Sequence, residues 1–430
     1  MTDVRRQALG LLLAYGARDG FANLLLSDAV LAEAGADAPL LTALFYGTVE
    51  RELTLDYAMG VLSERGQAEI EPHTRAALHL GLYQIYFMKI PTHAAVCETV
   101  ALGKNAGERA FLNAVLRRAA ETPLPLPPEG RRARYLSVKE SFPLSTVRFF
   151  LSLIGDEETE AILSAFNRVP PLSLTVNTAR ISREALLSLF ASEGVRAECG
   201  RYAARTVCVL DAAPPERLPG FAEGLFFVQD EASALAGEAL GATAGERVLD
   251  VCAAPGGKTL GAAVSMSGVG ELFAYDLHES KLSLIGENAA RLGFSVKTGS
   301  HDATVYDREK ERAFDRVICD VPCSGLGVLG KKPDLRYRER NESLSALGYR
   351  ILETSARYVK EGGVLLYSTC TLVPDENEEN VRRFLDAHPE YRATPFVLGG
   401  GALRAEEGML TLWPHRHGTD GFFIAKLTRG

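Results

Sequence analysis

Two cysteines stand where a thiolate could act on a substrate. Cys323 lies in Asp320-Val-Pro-Cys-Ser-Gly325, and Cys370 in Tyr367-Ser-Thr-Cys-Thr371. Each follows a short apolar run, Phe314–Cys319 and Gly363–Ser368, whose pattern predicts a strand. If those strands are neighbours, both thiols and the Asp320 carboxylate project over one crevice. Thiolates are nucleophiles and form covalent intermediates that divide a hard step into easier ones. One reaction suits two thiols and a carboxylate particularly well. Cytosine C5 becomes nucleophilic only after a thiolate adds at C6, helped by an acidic group at N3. A base must then remove the C5 proton so that the thiolate can leave.

A third segment predicts the partner of that chemistry. Val248-Leu-Asp250-Val-Cys252-Ala253-Ala254-Pro255-Gly256-Gly257-Lys258-Thr259 reads as a strand, a Gly-rich turn and a helix start. In a doubly wound sheet such a turn lies at the carboxyl edge, where ligands bind. A phosphate-binding loop would need Gly at position 252, which is Cys, and no G-x-G-x-x-G dinucleotide pattern is present. Paired glycines after an acidic strand fit a nucleoside cofactor without a pyrophosphate. Asp276 ends the next predicted strand, 20 residues beyond Gly256, a spacing suited to ribose hydroxyls. Asp302 follows a short predicted strand near 295–298, where an adenine amino group could be met. Either aspartate alone is more often a cap or a turn residue.

The elements that must hold these residues follow from periodicity. Residues 1–122 read as helical, with apolar residues at helical spacing in Leu9-Leu12-Leu13, Leu40-Leu41-Leu44-Phe45 and Leu78-Leu82-Ile85, punctuated by Asp56, Pro72 and Pro91. Thr122-Pro-Leu-Pro-Leu-Pro-Pro-Glu-Gly130 is a stiff spacer, because proline cannot continue a helix. Residues 123–170 form this linker and a helical segment. A small α+β subdomain is expected at 171–235, with strands Leu172–Asn177 and Val207–Leu210 around a helix Ser182–Glu193. From 236 to 430 apolar strands alternate with helices, the signature of a parallel doubly wound sheet. Its strand candidates are Arg247–Cys252, Leu272–Leu277, Phe314–Cys319, Gly363–Ser368 and Phe422–Leu427, with Met409–Trp413 as a hairpin partner of the last. The fold class is therefore α/β, preceded by a small α+β subdomain and a helical domain.

Composition narrows the function classes. The 430 residues include 47% hydrophobic and 24% charged side chains, ordinary for globular domains. No run of about 18 uninterrupted apolar residues is present, so no membrane span is expected. Seven dispersed cysteines suit a reducing, cytoplasmic setting rather than a disulfide framework. Cys97, Cys199, Cys208 and Cys319 read as small buried hydrophobes. Cys319 lies within its strand and no second pair completes a zinc site, so no metal is expected. The net charge of −8 argues mildly against nucleic acid. Residues 331–340, however, hold Lys331, Lys332, Arg336, Arg338 and Arg340 against Asp334 and Glu339, a local +3, with Tyr337 as a stacking surface. Neutralising Lys331, Lys332 and Arg336 is expected to weaken RNA binding, unless the segment is merely a solvated loop.

Taken together, Cys252-Ala-Ala-Pro-Gly-Gly-Lys-Thr259, Asp320-x-Pro-Cys-Ser-Gly325 and Tyr367-Ser-Thr-Cys-Thr371 resemble the RsmB/Nop2/Sun family of RNA cytosine-C5 methyltransferases. Phe227-Val-Gln229-Asp230-Glu-Ala-Ser233 and Asp420-Gly-Phe-Phe-Ile-Ala-Lys426 also look like motifs of that family. Residues 1–120 are similar to the NusB RNA-binding fold, notably at Pro91-Thr-His93-Ala-Ala-Val96 and Asn113-Ala-Val-Leu-Arg117. The combination looks like bacterial members that methylate small-subunit (16S) ribosomal RNA. The resemblance implies a Rossmann-like sheet binding S-adenosylmethionine through Cys252, Ala253, Ala254, Pro255, Gly256, Gly257, Lys258, Asp276, Asp302 and Asp320. Cys370 would be the nucleophile, Cys323 would assist elimination and product release, and Asp320 would also hold the base. Lys258 would support cofactor or base, against a bland role as a solvated first-turn lysine. In DNA cytosine methyltransferases, by contrast, the nucleophile occupies the Pro-Cys position. Val321 stands where Ala is common, and Thr175 where the family often has Arg. A monomer acting on ribosomal RNA is expected, the rivals being a non-catalytic assembly factor and an enzyme for another RNA such as transfer RNA.

Overall fold

The structure is a computed structural model and describes residues 4–17, 25–64, 69–211, 214–338 and 341–430. The chain divides into two units. One comprises Met1–Arg168 with the segment Leu329–Arg338, and the other Val169–Val328 with Glu339–Gly430.

The first unit is helical. Its long helices include Val4–Gly16, Ala38–Glu50, Glu52–Ser63, Pro72–Phe87 and Ala106–Glu121. The spaced residues Leu41, Leu44, Phe45, Leu78, Leu82, Leu112 and Leu116 meet in its core, as a 3.6-residue period requires. Pro72 and Pro91 do begin helices, Pro72 in a first turn and Pro91 as an N-cap. Asp56 does not punctuate one: it lies inside Glu52–Ser63, buried, accepting from Arg75 and bonded to His79. Asn105 caps the helix Ala106–Glu121 by accepting from the Glu108 amide. The stretch Ala29–Glu50 is long and apolar enough, by length and composition, to cross a membrane. A 3-10 turn at Gly35–Asp37 interrupts it, and Leu41, Leu44, Phe45 and Val49 lie in the unit's core.

The second unit begins with a four-stranded antiparallel sheet of β1 (Leu172–Val176), β2 (Ala197–Cys199), β3 (Thr206–Val209) and β4 (Phe226–Val228), in the order β2-β3-β1-β4. The helix Arg183–Ser192 buries Leu186 and Phe190 against this sheet's apolar side chains. The larger sheet takes β5 (Arg247–Asp250), β6 (Glu271–Asp276), β7 (Lys297–Ser300), β8 (Phe314–Asp320), β9 (Val359–Thr369), β10 (Tyr391–Ala393), β13 (Met409–Leu412) and β14 (Phe422–Arg429). A two-stranded ribbon, β11 (Phe396–Leu398) with β12 (Leu403–Ala405), lies between β10 and β13 in sequence. The order is β10-β14-β9-β8-β5-β6-β7, with β13 also paired to β14. Strands β5 to β9 run parallel, while β10, β13 and β14 are antiparallel.

Both faces of the parallel strands are covered, which explains their continuous apolar runs. Val248, Ile318 and Leu366 face one core, and their neighbours Leu249, Val317 and Leu365 face the other. The expected hairpin of Met409 with the last strand is present, Leu412 pairing with Phe422. From β5 the chain moves outward to β6 and β7, then returns to the other side of β5 as β8. That reversal is a topological switch point, and the loops after β5 and β8 diverge there.

Candidate active site

The Gly-rich loop leaves β5 between its two neighbours. The Val251 amide donates to Ile318 O of β8 at 3.1 Å, and the Ala253 amide to Tyr275 O of β6 at 2.8 Å. Cys252 packs its half-buried side chain against the core, where burial raises its pKa well above the usual range. Gly256 has φ 105°, and a Cβ there would come within 3.3 Å of Ile285. Gly257 opens the helix Gly257–Ser265, and a Cβ on it would lie 3.4 Å from Gln229 Nε2. Pro255 and Ala254 complete the turn, with the Ala254 amide donating to Asp276 Oδ2 at 3.1 Å.

Asp276 ends β6 and ties the loop to that strand. Its Oδ1 accepts from the His278 amide at 3.0 Å. A carboxylate offers about four acceptor positions, so two backbone partners leave capacity for hydroxyls. Asp302 stands exposed beyond β7, where Oδ1 accepts from the amide and hydroxyl of Thr304. These bonds, the hydroxyl's first, hold its carboxyl below the usual range. The His301 amide donates to Asp276 O, so the two aspartate turns adjoin.

At the other side of the switch point, Asp320 ends β8 in register with Ser368 of β9. Its Oδ2 receives Lys258 Nζ at 2.6 Å and its Oδ1 the Ser368 hydroxyl at 2.7 Å. The Lys258 side chain is only 7% exposed while that of Asp320 is 31% exposed. Lys258 is thus no solvated first-turn lysine. Its ammonium also lies 4.9 Å from the Phe422 ring centroid, within cation–π reach. Beneath the loop, Asp250 is fully buried and accepts from Thr259 Oγ1 at 2.7 Å. Burial pushes its pKa up to about 7.

Cys323 and Cys370 meet here. Their sulfurs are 3.3 Å apart, both half-buried, at the ends of the adjacent strands β8 and β9. The hydrogen bond to Cys370, reinforced by burial, holds the Cys323 thiol well above its usual pKa. The two cysteine loops are tied together at three points. The Gly327 amide donates to Cys370 O at 3.0 Å, and the hydroxyls of Ser324 and Thr371 are 2.7 Å apart. Glu376 accepts from the Ser324 amide, and within the Cys370 loop Asn377 Nδ2 donates to Thr371 O. Gly327 has no room for a side chain, since a Cβ would sit 2.0 Å from Gly421 O. Among the described residues, no group of three His, Cys, Asp or Glu could hold a metal ion.

Several expectations need correction. Arg336 and Tyr337 belong to the helical unit rather than to an exposed basic surface. Arg336 is 1% exposed, its guanidinium donating to Phe166 O, Asn167 Oδ1, Glu50 O and Leu329 O. The Tyr337 hydroxyl donates to Val49 O at 3.0 Å. Lys331, Lys332 and Arg338 are exposed, while Glu339 and Arg340 fall outside the described residues. Thr175 is buried and donates to Gln229 Oε1, so this position points inward. Cys208 and Cys319 are buried, but Cys97 and Cys199 are exposed, contrary to their reading as core residues. Sequence reasoning assigned no individual role to Ser368, Gln229, Gly327 or Phe422, whose contacts arise from strand register and loop packing.

A doubly wound sheet with a glycine loop and two aspartates at its switch point defines a Rossmann-like methyltransferase fold. The chain matches the family described as 16S rRNA methyltransferase RsmB/F over residues 238–428, the NusB family over 2–121, and the RsmF/B-like ferredoxin-like domain over 151–215. It is 34% identical to the probable ribosomal RNA small subunit methyltransferase B of Bacillus subtilis, covering 100% of this chain and 99% of that protein. The ribosomal RNA small subunit methyltransferase B of Pseudomonas putida is 34% identical over 91% of each chain. A crystal structure described as PH0851 superposes with a TM-score of 0.82 at 27% identity, covering 99% of this chain and 98% of its own. The chain belongs to the RsmB/F family of methyltransferases, with an N-terminal NusB domain.

Proposed function

We propose that this protein methylates carbon 5 of a cytosine in small-subunit ribosomal RNA, with S-adenosylmethionine as donor and Cys370 as covalent nucleophile. The observation that carries this reading is the pair of thiols 3.3 Å apart at adjoining strand ends, beside the Asp320–Lys258 pair. The full-length likeness to proteins named as small-subunit ribosomal RNA methyltransferases supports the substrate.

The loop fits the donor. Gly256 and Gly257 leave room for close approach, Asp276 keeps acceptor capacity for ribose hydroxyls, and Asp302 lies on the adjoining turn for an adenine amino group. S-adenosylmethionine supplies a methyl group already activated on a sulfonium.

The remaining steps fall to the chain's own residues. Asp320 keeps one acceptor position on each oxygen and accepts there from the cytosine 4-amino group and from N3 once N3 has taken up a proton from solvent, favouring the ring that accepts a thiolate. Cys370 Sγ adds at C6, forming the S–C6 bond and shifting the C5–C6 electron pair toward C5. C5 then takes the methyl group. Loss of the C5 proton to solvent water restores the C5–C6 double bond as the C6–S bond breaks, returning the electron pair to Cys370, and the N3 proton departs last. Cys323, held protonated by its bond to Cys370 and by burial, steadies that thiolate and assists release.

Incubating the protein with small-subunit ribosomal RNA and S-adenosylmethionine, then analysing the digested nucleosides by mass spectrometry, is expected to yield 5-methylcytidine. Cys370→Ala is expected to reduce that yield at least about 10³-fold, since the nucleophile carries the covalent route. Thermal stabilisation by S-adenosylmethionine without any methylated nucleoside would contradict the reading.

A further inference from the structure

The segment joining β13 to β14 rims the crevice, and the reaction does not use its side chains. Phe423 pairs with Thr369, so β14 starts at the carboxyl end of β9, beside Cys370. Leu412 pairs with Phe422, so residues 413–421 leave and return at that same edge. Gly421 donates to Gly327 O at 2.8 Å, and Gly327 in turn donates to Cys370 O.

This rim is basic and aromatic. The exposed Arg416 guanidinium lies 5.6 Å from the ring centroid of half-exposed Trp413, and the His415 ring stands 6.0 Å from Trp413. From the small antiparallel sheet's β2–β3 connection, exposed Arg201 donates to His417 O at 3.0 Å and places its guanidinium 5.2 Å from the Tyr202 ring. Tyr202 meets His417 edge to face at 6.2 Å. Burial first, and then the charges of Arg201, Arg416 and His415, hold His417 below its usual pKa. Of the carboxylates nearby, Glu231 turns onto the backbone amides of Tyr202 and Ala203, and Asp420 closes the segment.

We propose that Arg201, Tyr202, Trp413 and Arg416 form a docking platform for single-stranded RNA, stacking unpaired bases and pairing phosphates that flank the target nucleotide. The proposal rests on the RNA methyltransferase reading and deepens it. Unpaired bases bind by stacking on aromatic and guanidinium planes, and arginines add the salt-dependent phosphate term. A base lying in the crevice brings its neighbours past this rim.

Trp413 is the single tryptophan of the chain, so its emission reports on this surface alone. The wild-type protein would be titrated with a fluorescently labelled, cytosine-containing single-stranded RNA from the small subunit, following RNA anisotropy and tryptophan emission together. Quenching of Trp413 in step with binding is expected. Trp413→Ala is expected to weaken single-strand binding by roughly tenfold while sparing a duplex of the same sequence. Arg201→Ala with Arg416→Ala is expected to lower the salt slope by about 1.4, at roughly 0.7 per phosphate contact on a single strand. Unchanged thermal stabilisation by S-adenosylhomocysteine certifies the fold of each variant. Binding by anisotropy without change in tryptophan emission, or with the salt slope intact in the double variant, would overturn the platform and leave the methyltransferase reading standing. Absence of any RNA binding by the wild-type protein would overturn both.

Discussion

Lys258 and Arg336 are both cations withdrawn from water, yet their surroundings differ in kind. Lys258, 7% exposed, is paired with a carboxylate that is itself 31% exposed at the crevice. Arg336, 1% exposed, faces the carbonyls of Glu50, Phe166 and Leu329 and the Asn167 side chain inside the helical unit, over the Phe142 ring. Burying a cation is costly unless it is satisfied. Arg336 makes four hydrogen bonds from its planar fork of five donors to fixed oxygens, so it serves structure. Lys258 satisfies one charge with a group still open to solvent, leaving that group available to a substrate. A buried charge is a candidate for function when its partner faces the crevice.

Replacing the two cations should therefore produce opposite phenotypes. Lys258→Met is expected to cut methylation about 10²-fold by freeing Asp320 from its orientation, while stability changes by less than about 1 kcal/mol because Asp320 can rehydrate. Arg336→Met strips donors from four buried oxygens, and urea unfolding should record a loss of about 2–4 kcal/mol. Equal stability losses in both variants would erase the distinction.

Asp250 sharpens it further. Its folded pKa of about 7 lies above the unfolded carboxylate value. The native protein therefore holds the proton more tightly, and stability falls as pH rises from about 4 to about 7. Asp250→Asn keeps an acceptor for Thr259 and removes that fall, so its melting temperature relative to wild type should climb across this window and level off above it. A difference that stays flat with pH would show that Asp250 is ionised in the native state. The smallest effect is expected from Lys331→Ala with Lys332→Ala. With Arg336 buried and Tyr337 half-buried, the exposed remainder of that segment should shift RNA affinity less than about threefold.

The same contrast separates what could be read in sequence from what could not. Asp320, Cys323 and Cys370 sit at or just beyond strand ends, and Lys258 in the helix start after another strand, all of which local apolar pattern predicts; strand order alone then gathers them. The role of Ser368 depends on β9 lying in register with β8, which no local pattern encodes. Arg336 stands among Lys331, Lys332 and Arg338, so its spacing reads as a solvated run; only the non-local oxygens around it make it a core residue. The fate of Cys97 and Cys199 turns on which helix face and which strand edge meets solvent. Residue type is a weak guide there. The short strands β10, β11 and β12, three residues each, offer too little alternation to be seen.

The covalent route with its two divided thiol roles is tested most directly by the Cys323→Ala protein, incubated with small-subunit ribosomal RNA and S-adenosylmethionine and run on a denaturing gel. The account predicts a protein–RNA band, because methylation proceeds while release fails, and predicts its disappearance when Cys370 is also replaced. A band that survives the loss of Cys370, or no band although the wild-type protein methylates the same RNA, would contradict it.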